Sequence, residues 1–293
     1  MAEPQLDFPH PIFVGGVGRS GTHVMARLIG AGPRYHRVRT EARFHAWEGG
    51  LPDLCAGHIT LGEFLERMRG HWWQRGANQR QGLHRVCGSE TFDAALARFE
   101  QRFTQAPAEA SRDLIEGLLG QEAGARGKLS WVEATGGTIE YAGFLRSLFP
   151  RAKFVNMVRD GRAVVAATLK KVNLTDEPSR ALDRWEVMVR AAESSRQDLG
   201  EDSVLSVFLE DLAAHDREGS FERLASFLEL DDPAPMREYF DGEISAERAH
   251  VGAWRERMAP ADARWVDRHY RRLVRKLRRQ GLTWVPEPDA RTS

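Results

Sequence analysis

Two cysteines, Cys55 and Cys87, are all that this chain of 293 residues carries. So few in a chain this long make no disulfide scaffold, and reduced thiols in the cytoplasm are expected. Long apolar runs are missing, as is a charged-then-apolar leader, so neither secretion nor a membrane span is expected. There is no excess charge: 42 Lys and Arg face 42 Asp and Glu, which argues against general nucleic-acid binding. No Cys/His cluster has metal-ligand spacing; His10, His36, His45, His58, His71, His84 and His215 are scattered, and no metal is expected. Low-complexity linkers and internal repeats are also absent. The length can hold one large α/β domain or two smaller ones, and it is read as a single domain at 1–285 with a flexible tail at 286–293.

Strand-like runs at Ile12–Val14, Leu129–Val132, Phe154–Val158 and Val204–Phe208 alternate with helical patterns. That alternation predicts an α/β fold with a mainly parallel sheet flanked by helices. The region of about 51–125 is rich in Arg, Gln, Trp and Gly, reads mostly helical, and contains His71-Trp72-Trp73 and Arg75. It is either a helical cap over the substrate side or a helical layer with ordinary packing aromatics. A late helix carries Arg264, Arg268, Arg271, Arg272, Arg275, Lys276, Arg278 and Arg279, with Trp265, Val266, Tyr270, Leu273, Val274 and Leu277 as its packing face. It reads first as a docked helix with a solvated basic face, and second as a surface for membranes or polyanions.

The most informative segment runs from Ile12 to Ile29: a short apolar strand, a glycine-rich turn, and a helix opening at Gly21 or Thr22. Such a turn presents unpaired N–H groups and the positive end of a helix dipole to a ligand. Arg19 adds a full charge, and Ser20, Thr22 and His23 add donors, so a phosphate or sulfate ester is expected there. Three readings compete. An ATP-type loop needs Lys before Ser or Thr, whereas this chain has Thr22-His23. A dinucleotide fingerprint is spelled by Gly16, Gly18 and Gly21, with Glu41 about 20 residues on as the ribose-binding acid; it implies a nicotinamide-dependent dehydrogenase and leaves Arg19-Ser20 without a task.

The third reading rests on resemblance. Gly18-Arg19-Ser20-Gly21-Thr22 resembles the loop with which sulfotransferases hold the 5′-phosphosulfate of 3′-phosphoadenosine 5′-phosphosulfate (PAPS), with His23 where a second Thr is commoner. Downstream, Phe149-Pro150-Arg151-Ala152-Lys153-Phe154-Val155-Asn156-Met157-Val158-Arg159-Asp160-Gly161-Arg162 resembles the family's 3′-phosphate element, especially in the tyrosylprotein sulfotransferase branch and its bacterial relatives. Asp160 reads as the N-cap of a helix from Gly161 to about Lys171. The phosphate-binding Ser that the family places eight residues after the Arg is Ala167 here, and Thr168 beside it points about 100° away on a helix. Trp131-Val132-Glu133-Ala134-Thr135-Gly136 resembles a segment whose Lys is replaced by Ala134. Ser203–Leu212 resembles a scaffold strand ending in Glu210-Asp211-Leu212. Arg248-Ala249-His250-Val251-Gly252-Ala253-Trp254 resembles the late loop that closes over the 3′-phosphate, with Arg248 and His250 as candidates and Trp254 read as packing.

The resemblance implies sulfuryl transfer from PAPS to a hydroxyl or amine, leaving PAP. Gly18, Arg19, Ser20, Gly21, Thr22, His23, Arg159, Thr168 and Arg248 are the implied donor contacts. In-line transfer needs charge stabilisation, assigned to Arg19 and the loop N–H groups, and a general base. Glu41 is the lead base, between Arg39 and Arg43, with His45 and Glu90 in reserve; a surface ion pair is its other reading. His23 is either a donor or acid at the site or a solvent-facing residue on the first helical turn. A small molecule, a glycan or a peptide is the expected acceptor. A PAPS or PAP binder without turnover is the non-enzymatic alternative, which Ala134 and Ala167 permit.

Overall fold

Ile12, Phe13 and Val14 have no exposed surface, because the strand they form lies at the centre of a five-stranded sheet. The structure, a computed structural model, describes residues 10–76, 80–170, 175 and 177–286; beyond Pro286 the expected tail lies outside the described residues, as does Lys171. The strands are β1 (Ile12–Gly16), β2 (Tyr35–Arg37), β3 (Ser130–Glu133), β4 (Lys153–Val158) and β5 (Val204–Phe208). All pair in parallel, in the order β2-β3-β1-β4-β5.

That order decides where a ligand can sit. The chain leaves β1 toward β2 and β3 on one side, then returns across the sheet to β4 on the other. The connections after β1 and after β4 therefore diverge at the C-terminal ends of two neighbouring strands, where a crevice opens in parallel α/β sheets. The register pairs Gly16 with Met157, so the turns that follow start side by side.

The helices are α1 (Thr22–Ala31), α2 (Leu51–Cys55), α3 (Leu61–Arg67), α4 (Ser89–Phe103), α5 (Pro107–Ile115), α6 (Gln121–Ala125), α7 (Ala142–Leu148), α8 (Gly161–Leu169), α9 (Pro178–Leu199), α10 (Arg217–Phe227), α11 (Ala234–Glu243), α12 (Ala246–Ala249) and α13 (Pro260–Arg279). Successive strand side chains face opposite sides of the sheet. Ile12, Val14, Val155 and Met157 face a core shared with α1, α10 and α11. Phe13 and Phe154 face the other core, with Trp131, α7, α9, α13 and the helical segment between β2 and β3. There the ring of Phe13 meets Trp131 edge-on at 5.2 Å and stacks on Phe154 at 5.5 Å. Helices α2 to α6 occupy the 51–125 region; within it Trp72 is fully buried and Trp73 packs on Phe92 at 4.4 Å. Among the described residues, no helix is long and apolar enough to cross a membrane.

Two glycines of the β1–α1 turn differ in what they need. Gly16 has φ of +130°, and a Cβ there would lie 2.4 Å from the Met157 carbonyl oxygen. Gly18 is open: a Cβ there would meet nothing within 4 Å, and its backbone is not left-handed. Gly16→Ala is accordingly expected to lower stability by about 2–4 kcal/mol in urea unfolding, through backbone strain and overpacking. Gly18→Ala is expected to stay within about 0.5 kcal/mol of the parent. Equal midpoints for the two variants would contradict this account.

Candidate active site

Helix α1 begins at Thr22, with Gly21 as its cap at φ +99°. No side chain caps it, so its first N–H groups are free to face a ligand. Arg19 holds a left-handed backbone, φ +74°, which costs a residue other than glycine about 1–3 kcal/mol and recurs at functional sites. Ser20 is fully buried, and its Oγ has no hydrogen-bond partner among the described residues. Leu209, in the position after β5, packs beneath this turn: its methyl carbons would lie 3.1 and 3.4 Å from a Cβ on Gly21.

Arg159 stands at the end of β4 and is 9% exposed. Its Nη1 donates to the Arg19 carbonyl at 2.9 Å and its Nη2 to the Ala249 carbonyl at 2.6 Å. Its Nε is buried without a partner among the described residues. Burial holds the guanidinium below its ordinary pKa; Glu210 and Asp160 support the charge, and Arg19 and Arg257 oppose it. A buried cation repelled by two others is a site that an anion would relieve.

Arg19, Arg159 and Arg257 line one cleft with Ala163, Ala166, Ala167, His250 and Trp254. Among the described residues, no carboxylate lines it. His250, itself left-handed at φ +53°, is held below its ordinary pKa by burial and by Arg257, Arg159 and Lys170. Two residues expected to contact the donor do not line this cleft. Arg248 is exposed, pairs with Glu243 and does not line the cleft; Arg257, nine residues on, does. Thr168 is not among the lining residues either, because α8 turns Ala163, Ala166 and Ala167 toward the cleft. The 100° step between helical neighbours sets Thr168 apart from Ala167, as expected from the sequence. No local signal separated Arg257 from Arg248, because the one-turn helix α12 and the following turns decide which of the two points inward.

The walls of the cleft are braced by buried polar contacts. Asp160 caps α8 by accepting from the Arg162 N–H at 2.8 Å. Arg162 is 5% exposed, bridges Asp160 and Asp267 at 2.6 Å each, and lies over the Trp254 ring at 4.7 Å. Trp185 Nε1 donates to the Arg159 carbonyl at 2.9 Å. Glu210 accepts from the Asp160 N–H at 3.0 Å; burial and the charge of Asp160 raise its carboxyl to about 7, against backbone hydrogen bonds and Arg159 that lower it. Trp254 thus packs, as the sequence suggests, and also forms cleft wall.

Beyond β2 lies a second cluster. Glu41 Oε1 is 3.4 Å from His23 Nε2, across the first turn of α1. Its Oε2 accepts from Arg43 Nε at 2.8 Å and Nη2 at 2.5 Å. Burial raises the Glu41 pKa, but the His23 contact and the charge and hydrogen bonds of Arg43 outweigh it and bring it to about 2. His23 is 55% exposed, so the pair opens to solvent on the turn's side. Arg75, from the 51–125 segment, is 8% exposed, donates to the Glu41 carbonyl, and has Nε and Nη1 buried without partners among the described residues. Burial, then Arg43, lowers its pKa to about 10.

Glu133 sets the position of this cluster. It is fully buried at the end of β3 and accepts from the Ala42 N–H at 2.9 Å, the Thr135 N–H at 2.9 Å and the Thr135 hydroxyl at 2.6 Å. Thr135 Oγ1 in turn accepts from the Arg43 N–H at 3.2 Å. The loop carrying Glu41 and Arg43 is thereby stapled to β3. His45 is wholly buried, with Nε2 3.2 Å from Glu133 Oε2, and Glu90 is exposed on the first turn of α4. Neither lies with Glu41 and His23 at the turn. Ala134 is buried in the core on the α1 side.

Three comparisons bear on the family. The model of the Sulfotransferase family matches residues 11–234. A protein-tyrosine sulfotransferase of Drosophila melanogaster is 24% identical over 229 residues, 75% of this chain and 38% of the fly protein. Protein-tyrosine sulfotransferase 2 of Gallus gallus is 26% identical over 222 residues, 74% of this chain and 50% of that protein. The chain thus spans half or less of the length of these relatives. Among solved structures, the sulfotransferase domain from the Synechococcus PCC 7002 olefin synthase superposes with a TM-score of 0.52 at 18% identity, covering 92% of this chain and 97% of that one, a likeness of fold. The matched stretch runs from the residue before β1 into the start of α11 and takes in both the β1–α1 turn and Arg159, and the chain belongs to the sulfotransferase family.

Proposed function

We propose that the protein is a PAPS-dependent sulfotransferase acting on a hydroxyl or amine, with the donor held across the β1–α1 and β4–α8 turns. One observation carries this reading: a cleft lined by Arg19, Arg159 and Arg257 and, among the described residues, by no carboxylate, with the Arg159 Nε buried and unpartnered among them. Those residues fit the 3′-phosphate of the donor, and the N–H groups from Gly18 to Thr22, with the orphan Ser20 hydroxyl, fit its 5′ end. When bound, PAPS supplies an activated sulfuryl group on a good leaving group.

The rest is the work of this chain. Arg19 and the first N–H groups of α1 stabilise negative charge at the reacting end. Glu41 is the proposed general base, and its Oε1, left free by Arg43, faces the turn beside His23. With its carboxyl near 2 it stays ionised at physiological pH, and His23 shares the incoming proton. Arg75 supports a role for the 51–125 segment on the acceptor side, since it reaches Glu41 from that segment. The relatives named for protein tyrosine make a peptide acceptor a reasonable first class to screen, beside small hydroxylated molecules and glycans. A cytoplasmic setting is part of this reading, since two cysteines make no disulfide scaffold in a chain this long. A PAP binder without turnover is the second reading, which Ala134 and Ala167 permit.

Calorimetric titration with PAP, with NADH and ATP alongside, tests the donor. PAP is expected to bind at micromolar concentration or tighter and the others weakly; NADH binding with PAP inert would restore the dehydrogenase reading of Gly16, Gly18 and Gly21. Arg159→Ala and Arg257→Ala are each expected to weaken PAP by about tenfold or more, the effect of losing a charge-assisted phosphate contact, whereas Arg248→Ala leaves it unchanged. Loss of affinity in the Arg248 variant alone would return that residue to the site. Glu41→Gln is expected to keep PAP affinity and lower turnover by roughly a hundredfold or more. Full turnover in that variant would remove Glu41 as the base, and PAP binding with no transfer to any screened acceptor by the parent would favour the binder.

A further inference from the structure

The solvent face of α13 takes no part in the site. The helix carries eight basic side chains against two acidic ones, Asp262 and Asp267, in a chain whose formal charge is zero. Arg264, Arg268, Arg272, Arg275 and Arg279 are all exposed. Their spacing of four, four, three and four residues sets them in one row along the helix, about 22 Å long at the α-helical rise. None of the five has an ion-pair or hydrogen-bond partner among the described residues. The nearby carboxylates are committed elsewhere: Asp267 to Arg162 and Arg271, and Glu186 of α9 to Arg190 and Lys276.

The opposite face anchors the row. Val266, Tyr270, Val274 and Leu277 are buried, and α13 packs on α8 and α9. Like charges three and four residues apart repel, so the bare row is a standing cost that an anionic partner would relieve.

We propose that this arginine row docks the protein on a membrane surface of anionic phospholipids. A straight ridge meets a plane along its whole length, so all five guanidinium groups can reach headgroup phosphates at once, in the forked geometry that suits phosphate. The apolar face of α13 is spent inside the protein, so attachment is electrostatic and reversible, without insertion. No aromatic ring stands in the row to stack on bases; Trp265 lies beside it, half-buried and stacked on His269 at 3.8 Å. A single-stranded nucleic acid therefore finds no platform there.

Sedimentation of the full chain with vesicles tests the proposal. Binding is expected to phosphatidylcholine vesicles containing about one third phosphatidylserine at about 0.1 M salt, and release at about 1 M, where screening shortens to a few ångströms. Pure phosphatidylcholine is expected to bind nothing. Replacing Arg268, Arg272 and Arg275 together by Glu is expected to weaken vesicle binding by about a hundredfold or more. The same three positions changed to Gln give a milder variant in case the Glu form does not fold, and thermal unfolding checks both. Arg98→Glu, exposed on α4, is the control and is expected to bind as the parent does. Equal binding to neutral vesicles, no binding to anionic ones, unaltered binding by the Gln variant, or a preference for duplex DNA or heparin over anionic vesicles at equal salt would each overturn the proposal.

Discussion

The crevice between the β1–α1 and β4–α8 turns depends on one buried guanidinium. Arg159 ends β4, yet its two terminal nitrogens hold the carbonyls of Arg19 and Ala249, which belong to the turn after β1 and to α12. Three segments far apart in sequence thus meet on one side chain. The parallel order, with β1 beside β4, puts the first two of them next to each other. The charge itself is uncomfortable there: burial and two neighbouring arginines work against it, and Glu210 supplies partial support. A site built this way holds its shape through carbonyl contacts and keeps unspent charge for a ligand.

The loop after β2 rests on a different buried charge. Glu133 uses its carboxylate to hold the backbone of the β2–β3 connection, taking hydrogen bonds from Ala42 and Thr135. This leaves Glu41, on the same loop, free to pair with Arg43 and His23. Two glutamates in similar settings therefore have separate tasks. One is fully enclosed and satisfied by backbone donors; the other is open on the side of the α1 turn. Burial against satisfied donors makes a staple, whereas the ionised carboxylate at the solvent-facing turn stays accessible.

Charge is sorted across the molecule although its total is zero. Cations gather in the cleft and along α13, while many surface arginines elsewhere are matched by carboxylates, as in Arg184 with Glu140 and Arg237 with Glu218. Composition alone averages these regions away. The fold brings Arg257 and Trp254 toward α8 and leaves the far side of α13 bare, so two concentrations of positive charge arise from a chain that reads as neutral.

The sequence by itself determined the elements and the glycine-rich turn after β1. Short apolar runs became β1, β3, β4 and β5, and the glycine-rich turn opened α1 at Thr22. Asp160 capped α8 because capping is local, set by a side chain and an N–H two residues apart. Arg159 and His23 could be named as candidates for the same reason, since one directly follows β4 and the other lies on the first turn of α1, whereas Arg19 and Glu41 stand in the loops after β1 and β2. Only the tertiary structure decided which late arginine enters the cleft. Arg248 and Arg257 sit in similar local sequence, and the choice between them depends on how the chain packs over α8 after α12. The same holds for Arg75, which reaches Glu41 across 34 positions of chain, and for Glu133, which acts on a loop 91 residues earlier. Hydrogen-bond partners so far apart leave no periodic mark in a sequence; they are set by strand order and by the requirement that buried polar groups find partners.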